Sequence, residues 1–269
     1  MNLEGKIANW VELGTMPLIE ARKLQDKLVE LRAQGLIVDT ILSVQHPLTV
    51  SFGNDGENNA FSQELLAKVL EEYGSSHSSF VERYLTTKEV PMITSKRSGG
   101  ATVFAPGQYV FYPIVDHTQV TDSHKLDIKA YKSKIYAVMF DALRDLGVNG
   151  INTGSAESFK TRQERRDVWV NREGATYKMG SKGVALHRNI AYDGFVLHID
   201  KAGIAHNWMV NQCGYKPHEV RLWSVEQELG KRPSPEEVYA SVQRAIAKNF
   251  GYGSFRMVNY PREILEASA

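Results

Sequence analysis

The stretch from Lys178 to Cys213 constrains this chain more than any other. Two short apolar runs lie inside it, Gly183–Leu186 and Gly194–Ile199, each opened by a glycine. Alternation at Phe195, Leu197 and Ile199 reads as a half-buried strand, whereas Val184-Ala185-Leu186 is too short to assign by periodicity alone. Adjacent strands bring residues distant in sequence together, so Lys178 and Cys213 are placed to meet at a sheet end. Cys213 is the single cysteine of 269 residues, in the polar segment Asn211-Gln212-Cys213-Gly214.

That meeting would have chemical consequences. A cysteine of ordinary pKa is only about 3 per cent thiolate at pH 7. An ammonium ~4 Å away attracts the thiolate by roughly 4 kcal/mol at an effective dielectric of 20, before desolvation is counted. Half of that lowers the thiol pKa by about 1.5 units, enough to make a nucleophile without a histidine. The competing reading is a lone cysteine packed as a small buried hydrophobe.

Composition narrows the class. The charge is nearly balanced, 32 basic residues against 31 acidic, which argues against a nucleic-acid or membrane-surface protein. One cysteine excludes an intrachain disulfide and a cysteine-based zinc site, and suits a reducing cytoplasm. No apolar run approaches the ~20 residues that span a bilayer, and the first residues do not read as a signal or transit peptide.

The rest of the chain alternates strand-like and helix-like segments. Asn9–Gly14 reads as a strand, Pro17 to Gly35 as an amphipathic helix, and Leu36–Val44 and Leu48–Phe52 as strands. His46 before Pro47 reads as a turn residue. Leu65–Glu72 reads as a short helix and Met92–Thr94 as a strand, followed by the glycine turn Arg97–Thr102 and the aromatic run Tyr109–Pro113. Tyr131–Leu146 has helical spacing closed by Gly147. Val168–Val170 and Ala175–Lys178 form a hairpin about Asn171–Gly174. Leu222–Leu229 and Glu236–Phe250 read as helices, the second opened by Ser234-Pro235. With no repeat or linker, the expectation is one α/β domain over residues 1–269, mixed sheets packed with helices, and a peripheral tail from 251 to 269. No segment matches a P-loop.

Four ordered segments resemble the octanoyltransferase family, the lipoyl(octanoyl) transferases of protein lipoylation. They are His46-Pro47 with Ser51-Phe52-Gly53; Arg97 to Gln108 with Tyr112-Pro113-Ile114; Val168-Trp169-Val170 with Lys178 and Gly183; and Gly194-Phe195-Val196-Leu197 with Cys213-Gly214. The resemblance spans roughly residues 10 to 225. It implies a biotin/lipoate protein ligase-like fold and a ping-pong acyl transfer. Cys213 would take the octanoyl group from octanoyl-acyl carrier protein as a thioester and pass it to the lysine of a lipoyl domain or of the glycine-cleavage H protein. Lys178 would keep Cys213 ionised and shuttle protons. Arg97, Ser98, Gly99, Gly100, Ala101, Thr102, Val103, Phe104, Ser181, Lys182, Gly183, Gly194, Phe195 and Val196 would line the acyl site. It implies no metal or dissociable cofactor, and a monomer working in the cytoplasm.

Some positions depart from the family pattern. Phe104 and Asp193 stand where it has histidines, His198 where it has asparagine, Ser98 where it has a glycine, and Lys182 where it prefers an aliphatic residue. Phe104 reads either as an extension of the apolar wall or as core packing, and Asp193 either as a polar replacement or as a turn residue beside Gly194. Two other functions fit the same resemblance: an ATP-dependent lipoate or biotin ligase, which has no need of Cys213, and a non-catalytic lipoyl-domain or acyl-chain binding protein.

Overall fold

A computed structural model describes residues 5–54, 60–95, 97, 100–121, 127–152, 167–211 and 220–259. The chain begins with strand β1 (Lys6–Thr15), helix α1 (Leu18–Ala33), β2 (Thr40–Gln45) and β3 (Thr49–Phe52). Next come α2 (Gln63–Tyr73), α3 (Ser78–Thr87), β4 (Met92–Thr94), β5 (Thr102–Phe104), β6 (Gln108–Asp116), α4 (His117–Thr121) and α5 (Ile128–Asp145). Then follow β7 (Ile151–Asn152), β8 (Val168–Arg172), β9 (Ala175–His187), β10 (Ile190–His198), α6 (Lys201–Ile204), β11 (Arg221–Leu222), α7 (Val225–Leu229), α8 (Pro235–Phe250) and β12 (Tyr252–Val258).

Among the described residues the large sheet has nine strands in the order β12-β1-β2-β6-β10-β9-β8-β7, with β11 beside β9. A three-stranded sheet, β4-β3-β5, stands apart. The large sheet is covered on both faces, and strand alternation sorts its side chains between them. On β6, Tyr109, Phe111 and Val115 join Ile135, Met139, Val242 and Ile246 of α5 and α8. Val110, Tyr112 and Ile114 of the same strand join Leu18, Ala21 and Leu28 of α1. A third cluster packs α2 and α3 on the small sheet through Val50, Leu65, Val69, Val81 and Leu85.

Several expectations need correction. The second strand starts at Thr40 rather than Leu36, because Gly35 (φ 75°) ends α1 and the Leu36 N–H returns to the Leu31 carbonyl. Leu36 and Val38 are left exposed there. Leu222 is a strand residue rather than a helix start; α7 begins only after Ser224, whose hydroxyl and Gln227 form a reciprocal cap. The run Val184–Leu186 is the second half of a 13-residue strand. Helix α3 has no counterpart in the expectations, since its sequence SSFVERYLTT is short and buries only Val81 and Leu85. The supposed peripheral tail opens with β12, which pairs parallel to β1 from Tyr252 to Val258, and Gly5 lies so close to Gly253 that neither has room for a Cβ. The remainder of that tail, from 260 on, and the expected polar stretch 153–166 are outside the described residues.

Candidate acyl-transfer site

Lys178 lies on β9 where its neighbouring strand changes. Gly180 to His187 pair with β10, whereas Tyr177 and Lys178 pair with β11, Leu222 directly against Lys178. The Lys178 carbonyl accepts hydrogen bonds from the Trp223 N–H at 2.9 Å and from His198 Nδ1 at 3.2 Å. The residue is 3% exposed, and its ammonium pairs with the Asp167 carboxylate at 2.8 Å. A buried lysine keeps its charge only when such an anion offsets desolvation. Burial and the Lys178 charge push the His198 pKa down to about 3, so this imidazole is neutral.

Cys213 is outside the described residues, as are Ser98 and Gly99, so its expected approach to Lys178 is a matter for experiment. The chain on either side is firmly attached. Asn211 donates its backbone N–H to Ala60 (2.7 Å) and its side-chain amide to the Phe61 carbonyl (2.9 Å). Further along the chain, Leu222 lies beside Lys178.

Arg97, beyond β4, lies against β9 at Gly183. The Arg97 guanidinium donates to the carbonyls of Ser51 (2.9 Å) and Gly100 (2.7 Å), and the Arg97 Cβ lies 3.6 Å from the point a Cβ on Gly183 would occupy. Gly183 pairs with Gly194, whose own requirement is absolute: a Cβ there would sit 2.1 Å from the Phe111 carbonyl oxygen, at a φ of 139°. Strand β6 has Pro113 at this level, which has no N–H to give β10, and the pairing of β10 with β6 lapses between Ala191 and Phe195.

Asp193, immediately before Gly194, has a φ of 65° and is 3% exposed. It is a buried mid-strand residue, so reading it as a turn residue is wrong. The positive φ turns its carboxylate toward α1, where Arg22 Nη2 meets Oδ1 at 3.2 Å. Burial raises the Asp193 pKa, and the Arg22 and Arg97 charges oppose that rise.

The other expected lining residues divide. Phe104 and Val196 share the α1-side cluster. Phe195 stacks on Phe111 (ring centroids 5.2 Å apart) on the α5 side, and Lys182, opposite it on β9, puts its ammonium 4.4 Å from the centre of the Tyr136 ring on that side too. Ala101 and Val103 pack into the small-sheet cluster, Thr102 pairs with Ser51, and Ser181 pairs with Val196. Among the described residues, these positions thus lie on both faces of the large sheet and on the small sheet.

His46, in the connection between β2 and β3, is fully buried. Its Nδ1 lies 2.8 Å from the Met16 carbonyl and its Nε2 2.8 Å from the Tyr112 hydroxyl, with the Phe104 ring edge-on at 5.2 Å. Sequence reasoning also missed Arg22 and Asp167 as partners of Asp193 and Lys178. Arg22 reads as one more charge on a solvated helix face, and nothing local marks Asp167. Among the described residues no group of three or more His, Cys, Asp or Glu side chains is placed to hold a metal ion, and no helix is long and apolar enough to cross a membrane.

A buried lysine on a mixed sheet covered by helices on both faces belongs to an α/β architecture already known from solved structures. Lipoate-protein ligase A bound with ATP superimposes with a TM-score of 0.68 at 13% identity, covering 98% of this chain and 93% of the other. The bi-partite lipoate protein ligase of Thermoplasma acidophilum gives 0.66 at 12% identity, covering 98% and 91%. These likenesses establish the fold. The family is established by residues 18–247, which match the lipoyl protein ligase A/B catalytic domain: the chain belongs to that family. Relatives named octanoyltransferase include that of Syntrophobacter fumaroxidans, 28% identical over 240 residues (89% of each chain). That of Koribacter versatilis is 29% identical over 244 residues, 90% of this chain and 82% of the other.

Proposed function

We propose that this protein is an acyltransferase of protein lipoylation. It moves an octanoyl group from octanoyl-acyl carrier protein to the lysine of a lipoyl domain or of the glycine-cleavage H protein. The observation that carries this reading is the likeness, over about nine-tenths of the chain, to proteins named octanoyltransferase. The buried, charge-compensated Lys178 supports it.

In the first half-reaction the Cys213 thiolate attacks the thioester carbonyl. The bond between carbonyl carbon and carrier sulfur breaks, and the carrier thiolate leaves with a proton from Lys178. In the second, the acceptor lysine amine attacks the acyl-Cys213 carbonyl, an amide forms, and Cys213 departs as thiolate while the amine's proton returns to Lys178. Asp167 keeps the Lys178 ammonium in place between turnovers. The thioester arrives activated, so ATP is not consumed. The protein acts as a monomer in the cytoplasm.

Incubation with octanoyl-acyl carrier protein, with and without ATP, tests this. The expected result is an octanoyl adduct on Cys213 by peptide mass spectrometry, independent of ATP and absent in Cys213→Ser. Acyl transfer that requires ATP and survives Cys213→Ser would instead show a ligase.

A further inference from the structure

Lys178 is held by its backbone as well as by its ammonium. On one side of β9 the pairing with β10 ends at Gly180, and at Lys178 its place is taken by β11, a strand of 2 residues. So short a ladder holds little by itself, and side chains must keep it in place. Trp223, next in the chain, does this. Its N–H donates to the Lys178 carbonyl at 2.9 Å, and its ring centre lies 4.9 Å from that of Tyr177. Its indole Nε1 donates to Glu228 Oε2 at 3.1 Å.

Glu228 is itself fixed. Arg172 Nε donates to Oε2 at 2.9 Å, Arg172 Nη2 donates to Oε1, and the same Nη2 donates to the Asn149 carbonyl at 2.8 Å. The Arg172 hydrogen bonds hold the Glu228 carboxyl below its ordinary pKa, so it is charged and accepts strongly. Arg172 ends β8, and Asp167, the partner of the Lys178 ammonium, immediately precedes that strand. The two ends of β8 thus reach Lys178 by separate routes. Asp167 meets the charge; Arg172 acts on the backbone through Glu228 and Trp223.

Resting on the acyl-transfer reading, we propose that Glu228 is a positioning residue that aims Lys178 by holding the Trp223 indole. With the indole held, β11 stays against β9 and the lysine stem keeps its direction.

The test measures octanoyl transfer from acyl carrier protein to a lipoyl domain, the alkylation rate of Cys213 against pH, and thermal melting. Misplacing a catalytic group by about 1 Å can cost about a hundredfold, so Glu228→Ala, a partial loss of support, is expected to lower kcat about tenfold with KM for both substrates within about twofold. Its thiol profile is expected to shift toward that of Lys178→Ala. Glu228→Gln, which keeps an oxygen for the indole, is expected to stay within about threefold of the native kcat. Trp223→Phe keeps a ring against Tyr177 and loses the N–H, and is expected to match Glu228→Ala. Combining Glu228→Ala with Lys178→Ala is expected to give the thiol profile of Lys178→Ala alone, because Glu228 acts through the lysine. Additive shifts in the double variant, or a lowered melting temperature with kcat and thiol profile unchanged, would make Glu228 purely structural and overturn the inference, leaving octanoyl transfer standing. A profile that Lys178→Ala does not move overturns it as well. Native protein that forms no octanoyl adduct overturns the acyl-transfer reading, while the thiol profiles still decide whether Glu228 acts on Lys178.

Discussion

The Tyr112 hydroxyl donates to His46 Nε2 across 2.8 Å at a site with no solvent exposure for the imidazole. The direction follows from the other nitrogen. Nδ1 lies 2.8 Å from the Met16 carbonyl, which can only accept, so Nδ1 holds the proton and Nε2 presents a lone pair. Burial, reinforced by Arg22 and opposed by the Met16 hydrogen bond, pushes the His46 pKa down to about 4.

His46 and His198 together predict an acid-sensitive stability. Both folded-state pKa values, about 4 and about 3, lie below the ordinary histidine value of 6.5. The unfolded chain therefore binds protons first as pH falls, and stability is lost below pH ~6.5 until the folded-state values are reached. Each histidine contributes a slope of up to about 1.4 kcal/mol per pH unit in that window. Denaturant melts between pH 7 and 5 are expected to show this loss, and His46→Gln is expected to reduce the slope by about half. A slope that His46→Gln leaves unchanged would show that His46 protonates equally in both states.

Phe104 seals that site from one side, edge-on to His46 and 8% exposed. Phe104→Ala is expected to cost about 3–5 kcal/mol by opening a cavity. If water enters, the same variant will show a shallower pH dependence than the native protein. An unchanged melting midpoint would place Phe104 outside the core.

Gly194→Ala is expected to destabilise by more than about 3 kcal/mol. The added methyl would lie 2.1 Å from the Phe111 carbonyl oxygen at a φ that L residues rarely adopt, and the Phe111 backbone and the rigid Pro113 ring leave it no easy escape. Gly183→Ala meets only the Arg97 side chain, at ordinary contact distance, and is expected to cost much less. Equal melting temperatures for the two variants would contradict this ordering.

Lys178 shares its charge with Asp167, 2.8 Å away. If Lys178 lowers the pKa of Cys213, removing the competing carboxylate should strengthen that effect. Asp167→Asn is thus expected to lower the thiol pKa by about 0.5–1 unit, and Lys178→Ala to raise it. Alkylation rate against pH reads both. Profiles that neither substitution moves would separate the amine from the sulfur.

Much of the fold was legible because its signals are local. Apolar spacing from Leu18 to Leu31 marked α1, Ser234-Pro235 marked the start of α8, and alternation through Phe195 and Leu197 marked β10. Those same local patterns could not show that β9 runs unbroken through Gly180 and Gly183, since its pairing with β8, β10 and β11 defines that strand. Nor could they show β12 closing the sheet against β1, a contact across some 245 residues of chain.

The candidate site divides on the same physical line. Lys178, the glycines at 183 and 194, and the unusual aspartate at 193 are chemical identities, and the sequence alone singled them out. What surrounds each depends on long-range packing: Asp167 on Lys178, Arg22 on Asp193, Tyr112 on His46. Burial and ion pairing are properties of the folded assembly, because a side chain is desolvated only by residues that other parts of the chain bring to it. Residue types thus named the chemistry, and tertiary structure alone decided which of those groups are charged, which are neutral, and which face one another.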